Sequence, residues 1–130
     1  MTDSKALRVL LAEDNAMNQD IMRTILNDMG HEVATAANGH EALDLLGEHR
    51  IDLVLMDIMM PGLDGLGATR KIRESDDFGT KIPIVACSAH VSEDAQQRYL
   101  KAGMDAFVPK PVDRNPLARV IDDVMLGNAG

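Results

Sequence analysis

The sequence predicts an α/β fold: a doubly wound parallel sheet of five strands with helices on both faces, forming one domain over residues 1–130. Three observations lead there. Short apolar runs alternate five times with segments of helical periodicity, and strict βα alternation with short connections implies parallel strands joined by right-handed crossovers. The central runs are apolar at nearly every position, as strands covered on both faces must be. The runs end on polar residues of distinct chemistry, namely Glu13-Asp14, Asp57, Ser88 and Lys110. In an open parallel sheet the carboxyl ends of the strands line the edge where ligands bind.

The elements follow in order. Arg8-Val9-Leu10-Leu11-Ala12 is the first strand. Met17, Ile21, Ile25 and Met29 then recur at four-residue spacing with Met22 and Leu26 beside them. That pattern predicts an amphipathic helix, stopped by Gly30. Residues 33–36 form a short strand of weak apolar character, suited to a sheet edge. Asn38-Gly39 turns the chain into a helix through Ala42, Leu43 and Leu46. Residues 51–56, interrupted only by Asp52, make a third strand that ends on Asp57, and Pro61-Gly62 breaks the chain beyond it. Asp64 is placed to cap a helix reaching about Arg73. Pro83 opens a fourth strand over residues 84–87, and Ser92 caps a polar helix that Gly103 ends after Ala102. The fifth strand is residues 106–109. In the last helix Leu117, Val120, Ile121, Val124 and Met125 follow the i, i+3, i+4, i+7, i+8 pattern. Residues 1–6 and 127–130 are expected to fray. No linker, repeat or low-complexity tract divides the chain. Alternation alone does not give strand order, and a Rossmann-like order is equally compatible with it.

Composition narrows the function. A chain of 130 residues matches one domain and buries roughly two-thirds of its unfolded surface, enough for an unassisted core. Phe78, Tyr99 and Phe107 are the only aromatics, against nine methionines, so aliphatic and thioether side chains must fill the interior. With 13 basic and 21 acidic residues the net charge is -8, which disfavours binding to nucleic acid or an anionic membrane. Cys87 stands alone, which excludes an intramolecular disulfide and suits a reducing compartment. Nothing near Met1 resembles a signal peptide, and no apolar run approaches the ~18 residues of a membrane span. A soluble, cytoplasmic chain is expected.

The strand-end residues carry the chemistry. Glu13, Asp14 and Asp57 side by side repel one another unless a cation joins them, and carboxylate oxygens are the ligands Mg²⁺ prefers. Lys110 supplies a point charge suited to a phosphoryl group, and Ser88 a hydroxyl donor for an anionic oxygen. A carboxylate can itself be a nucleophile that forms an acyl phosphate. Any one of these residues has a plainer explanation: an acid after a strand is more often a helix cap or a solvated loop residue, Ser88 could start a helix, and Lys110 could be a surface amine. Their coincidence on strand ends is what favours a site. Asp57 is hardest to dismiss, because Ile58-Met59-Met60 follows it rather than turn residues.

Leu11-Ala12-Glu13-Asp14-Asn15, Leu55-Met56-Asp57-Ile58-Met59-Met60-Pro61-Gly62-Leu63-Asp64-Gly65, Ser88-Ala89 and Lys110-Pro111 together resemble the receiver domain of two-component response regulators. The match covers about residues 7–126, with its motifs in the family's order. The resemblance implies the CheY-like, flavodoxin-like fold, a sheet in the order 2-1-3-4-5 with five helices. It implies that Asp57 is the phosphoacceptor, with Ser88 and Lys110 on the phosphoryl oxygens. Mg²⁺ or Mn²⁺ would be held by Asp14, Asp57 and the main-chain carbonyl of Met59, and Glu13 would act through a bound water. Phe107 matches the family's switch aromatic, Met59 and His90 flank the site, and Lys110-Pro111 looks like the family's cis peptide. The implied partners are a histidine kinase or histidine phosphotransfer protein, in a two-component phosphorelay with output through protein contacts and no DNA-binding domain. A monomer is expected, with dimerisation on phosphorylation as the alternative. The only catalysis implied is the domain's own phosphorylation and dephosphorylation.

Departures from the family pattern are mild. The acidic pair is Glu-Asp where Asp-Asp is also common, and Ser88 stands where Thr is frequent. The stretch Glu13-Asp14-Asn15-Ala16-Met17-Asn18-Gln19 resembles receivers of hybrid histidine kinases more than those of DNA-binding regulators. An aspartyl-phosphate hydrolase would need an acid two residues after the nucleophile, where Met59 cannot transfer a proton. A flavin-binding domain of the flavodoxin type would need a hydroxyl- and glycine-rich phosphate loop after the first strand, where Glu13 and Asp14 stand and their charges oppose a phosphate. His31, His40, His49 and His90 show no metal-type spacing with one another or with Cys87, and Cys87 reads as a small buried hydrophobe.

Overall fold

A computed structural model describes residues 6–75, 82–89 and 91–127. Five parallel strands alternate with five helices: β1 (Arg8–Ala12), α1 (Ala16–Asp28), β2 (Glu32–Ala36), α2 (Gly39–Glu48), β3 (Leu53–Asp57), α3 (Gly65–Glu74), β4 (Ile84–Ser88), α4 (Glu93–Ala102), β5 (Ala106–Pro109) and α5 (Arg114–Gly127). The sheet order is β2-β1-β3-β4-β5, which excludes the Rossmann-like alternative.

The period-two alternation of a strand divides the interior into two cores. Leu10, Ala12, Val54, Met56, Ile84 and Ala86 point to the face covered by α2, α3 and α4. Val9, Leu11, Leu53, Leu55, Val85 and Cys87 point to the face covered by α1 and α5. All five residues of β3 and of β4 are buried, whereas the edge strand β2 buries fully only Ala36. Each leucine fully buried here contributes about 1.5–3 kcal/mol relative to an exposed one.

Local chemistry starts the helices where expected. Asp64 Oδ1 accepts from the Gly67 amide at 2.8 Å and Ser92 Oγ from the Ala95 amide at 3.2 Å, satisfying helix-start donors. Asn15 and Asn38 cap α1 and α2 in the same way. Gly103 ends α4 with φ 108, a left-handed conformation that costs glycine little.

Two expectations need correction. The four-residue stripe on α1 does not all face the core: Met22 and Leu26 are buried, while Met17 is 71% and Ile21 48% exposed. A strict four-residue repeat drifts around a helix of 3.6 residues per turn, so the amino-terminal end of that stripe swings off the sheet toward the strand-end edge. Gly127, expected to fray, is the last residue of α5. The expectations for residues 1–5 and 128–130 lie outside the described residues.

Candidate functional site

The carboxyl ends of β1, β3, β4 and β5 gather the polar residues into one place. At the end of β1 the Glu13 amide donates to Ala36 O at 2.9 Å, continuing the ladder so that the Glu13 side chain, 1% exposed, is held inside. The Asn15 amide donates to Glu13 Oε2 at 3.1 Å. Gln19 Nε2, one turn into α1, donates to Glu13 O at 2.6 Å and pins α1 to the strand end. Asp14 is exposed beside it.

Asp57 closes β3, 3% exposed. The chain then leaves through tight backbone contacts: Ile58 N donates to Cys87 O at 3.3 Å and Gly65 N to Ile58 O at 3.1 Å. A Cβ at Gly65 would lie 2.2 Å from Asp57 O, so only glycine lets α3 begin this close to the site. The Met59 amide lies 3.4 Å from Asp57 Oδ1, while the Met59 residue is 71% exposed. At the end of β5 the Lys110 amide donates to Ser88 O at 2.9 Å, and the Lys110-Pro111 bond is cis.

Lys110 Nζ donates to Asp57 Oδ1 at 2.8 Å. It lies 3.1 Å from Glu13 Oε1, an ion pair by distance, but that buried oxygen makes no aligned hydrogen bond. Carboxylate oxygens of Glu13, Asp14 and Asp57 come within 4.8 Å of one another. Among the described residues, three acids thus face one amine. Burial pushes the Glu13 carboxyl above its usual range, with the Asp57 charge adding to it and the Asn15 amide and Lys110 opposing. Burial alone would lower the Lys110 pKa, but the bond to Asp57 and the Asp57 and Glu13 charges outweigh it and raise the pKa. Behind the site, burial takes the Cys87 thiol up to about 12, so it is inert packing, as expected.

Glu13, Asp14, Asp57, Met59, Ser88 and Lys110 all fall at this edge. Phe107 is half-buried against the core under α2, α3 and α4. His90 lies outside the described residues. Two contributors escape a sequence reading. Gln19 reaches the site through a backbone oxygen, and Tyr99 Oη on α4 lies 2.7 Å from Ser88 Oγ. A tyrosine in a helix otherwise poor in large apolar residues is the sequence signal for the second. A cleft of about 350 Å³ lined by Glu13, Asn18, Ile21, Met22, Lys110 and Val112, among others, opens alongside. His31 plays no part here; it is buried and its Nδ1 accepts from the Leu7 amide at 3.1 Å.

This fold and strand-end site define a class. Residues 9–122 match the response regulator receiver domain model, and the chain belongs to that family. It is a receiver domain of the two-component type, with the CheY-like fold of solved receivers. It is 42% identical over 120 residues to the sensor histidine kinase GacS of Pseudomonas protegens, a match covering 91% of this chain and 13% of GacS. The chain therefore spans about an eighth of that relative's length. It is 36% identical to the polar-differentiation response regulator DivK of Brucella anthropi, covering 80% of this chain and 84% of DivK. The receiver domain of the sensor histidine kinase PA1611 from Pseudomonas aeruginosa, solved with a magnesium ion in its active-site cleft, superposes with a TM-score of 0.83. That pair shares 32% identity and covers 97% of this chain and 100% of the other. No helix among the described residues is long and apolar enough to cross a membrane.

Proposed function

We propose that the chain is a phosphorylatable receiver in a two-component phosphorelay, a single domain over residues 1–130. It accepts a phosphoryl group on Asp57 from a histidine kinase or histidine phosphotransfer protein. The observation that carries this reading is the buried Asp57 carboxylate, 2.8 Å from an ammonium and inside a cluster of three acids.

The donor set fits a hard divalent cation. Glu13, Asp14 and Asp57 supply only oxygen, one buried Glu13 oxygen lacks an aligned partner, and among the described residues the Lys110 amine alone pairs with these acids, leaving their charge unbalanced. Mg²⁺ or Mn²⁺ suits such ligands. Asp14 and Asp57 would hold it with the Met59 carbonyl, and Glu13 through a water. When bound, it supplies charge neutralisation for oxygen atoms in phosphoryl transfer.

The chain's own residues perform the rest. An Asp57 oxygen attacks phosphorus as the phosphorus–nitrogen bond of phosphohistidine breaks in line, the electron pair leaving with the imidazole. The Lys110 ammonium, already on Asp57, stabilises the charge on the equatorial oxygens, and the Ser88 hydroxyl donates to one of them. Met59 supplies no proton-transferring group, which favours a switch or relay module over a hydrolase. Catalysis is then limited to the domain's own phosphorylation and dephosphorylation.

Output runs through protein contacts in the cytoplasm, as a monomer or a phosphorylation-dependent dimer, and the net charge of -8 opposes nucleic-acid and anionic membrane partners. The test is labelling with acetyl phosphate or a phosphorylated kinase. The wild type takes up one phosphoryl group only with a divalent cation present, and Asp57→Asn takes up none while melting normally. Undiminished labelling of Asp57→Asn overturns the assignment.

A further inference from the structure

Of the three buried residues that α4 contributes, two are alanines, Ala95 and Ala102; the third is Tyr99, 2% exposed. Tyr99 is therefore the one large side chain that anchors this helix in the core. The remaining large apolar residue, Leu100, is 54% exposed. The polar end of that anchor meets the functional site, because Tyr99 Oη lies 2.7 Å from Ser88 Oγ and both residues are buried.

A serine hydroxyl has one proton to donate and two lone pairs to accept with. A phenol that donates to Ser88 Oγ occupies a serine lone pair and not the serine proton, so the Tyr99 contact does not itself oppose donation from Ser88 to an anionic oxygen on Asp57. The two bonds are compatible, and together they form a chain from the site into α4. Any displacement of Ser88 toward a phosphoryl group then pulls on the helix at its main anchor. We infer that Tyr99 is a positioning residue: its phenol orients the Ser88 hydroxyl and couples α4 directly to the state of Asp57, without passing through Phe107. The inference rests on the proposed role of Asp57.

Beryllofluoride with Mg²⁺, a mimic of the phosphoryl group, is the probe, read by NMR amide shifts in the wild type, Tyr99→Phe, Ser88→Ala and the double variant. Phenylalanine keeps the ring and its packing, and Ser88→Ala removes the same bond from the other side. In Tyr99→Phe the shifts in the loop after Asp57 persist, while those across residues 93–102 fall to less than about half, and beryllofluoride binds about fivefold more weakly, the scale of one neutral hydrogen bond. In the Ser88→Ala background, Tyr99→Phe changes neither quantity further, because the bond is already gone. Wild-type α4 shifts in Tyr99→Phe overturn the coupling, as does an effect of equal size with and without Ser88, which would mean packing alone. A wild type that binds no beryllofluoride overturns the Asp57 reading and this inference with it; a wild type that responds normally beside an unaffected Tyr99→Phe overturns only the coupling.

Discussion

His31 sits at the amino edge of the sheet, 8% exposed, with Nδ1 accepting from the Leu7 amide. An acceptor nitrogen carries no proton, so this bond requires the neutral ring. Burial lowers the pKa of His31, opposed by the Asp122 carboxylate. The unfolded chain then binds a proton more readily than the folded one, so this contribution to stability is complete above the ordinary histidine pKa of about 6.5 and is lost as pH falls through it toward the lower folded value. Urea melts at pH 7 and pH 5.5 check it: the wild type loses more stability than His31→Gln over that interval, and parallel losses would refute the assignment. At the same scale Cys87 was legible from an apolar strand, whereas the Leu7 partner of His31 was not, since it lies 24 positions away.

The carboxyl end of helix α3 is clamped by Arg73. Arg73 donates from Nε to Gly103 O at 2.8 Å, from Nη1 to Ile82 O at 2.7 Å and from Nη2 to Asp105 Oδ2 at 2.9 Å. Asp105 Oδ2 also accepts from the Ile84 amide at 2.8 Å. This clip joins the end of α3, the start of β4 and the turn between α4 and β5. The guanidinium side chain is only 15% exposed, so Arg73→Met strands two carbonyls and costs about 2 kcal/mol. Chemical denaturation reads this as a lower midpoint with an unchanged slope, with faster amide exchange at Gly103 and Met104; an unaltered midpoint would show the clip to be idle. In sequence Arg73 is simply the last basic residue of a polar helix. Periodicity reports which face a residue occupies and is silent on partners 30 residues away.

For the whole molecule, the strand-end charge is the main liability. Glu13, Asp14 and Asp57 are brought together by folding beside the amine of Lys110, and their mutual repulsion opposes the folded state. A divalent cation that binds only the folded chain stabilises it by mass action, by about 1.4 kcal/mol at ten times its Kd. Thermal melts with and without millimolar Mg²⁺ provide the measurement. Asp14→Ala is expected to raise the melting temperature of the metal-free protein by a few degrees and to blunt the response to Mg²⁺. A wild-type curve indifferent to Mg²⁺ counts against the cation site.

Element type, sheet class and the approximate site were readable from residues alone. Hydrophobic periodicity depends only on near neighbours, and parallel strands automatically align their carboxyl ends, so Asp57, Ser88 and Lys110 could be placed together before any coordinates. Motif similarity, not periodicity, supplied the strand order, because many orders satisfy the same alternation. Only the tertiary structure decided which α1 residues face the core, how Lys110 divides itself between Asp57 and Glu13, and that Ser88 shares a hydrogen bond with Tyr99. Each of these depends on the angle and depth at which one packed element meets another, a quantity set by all the side chains between them and by no local stretch of sequence.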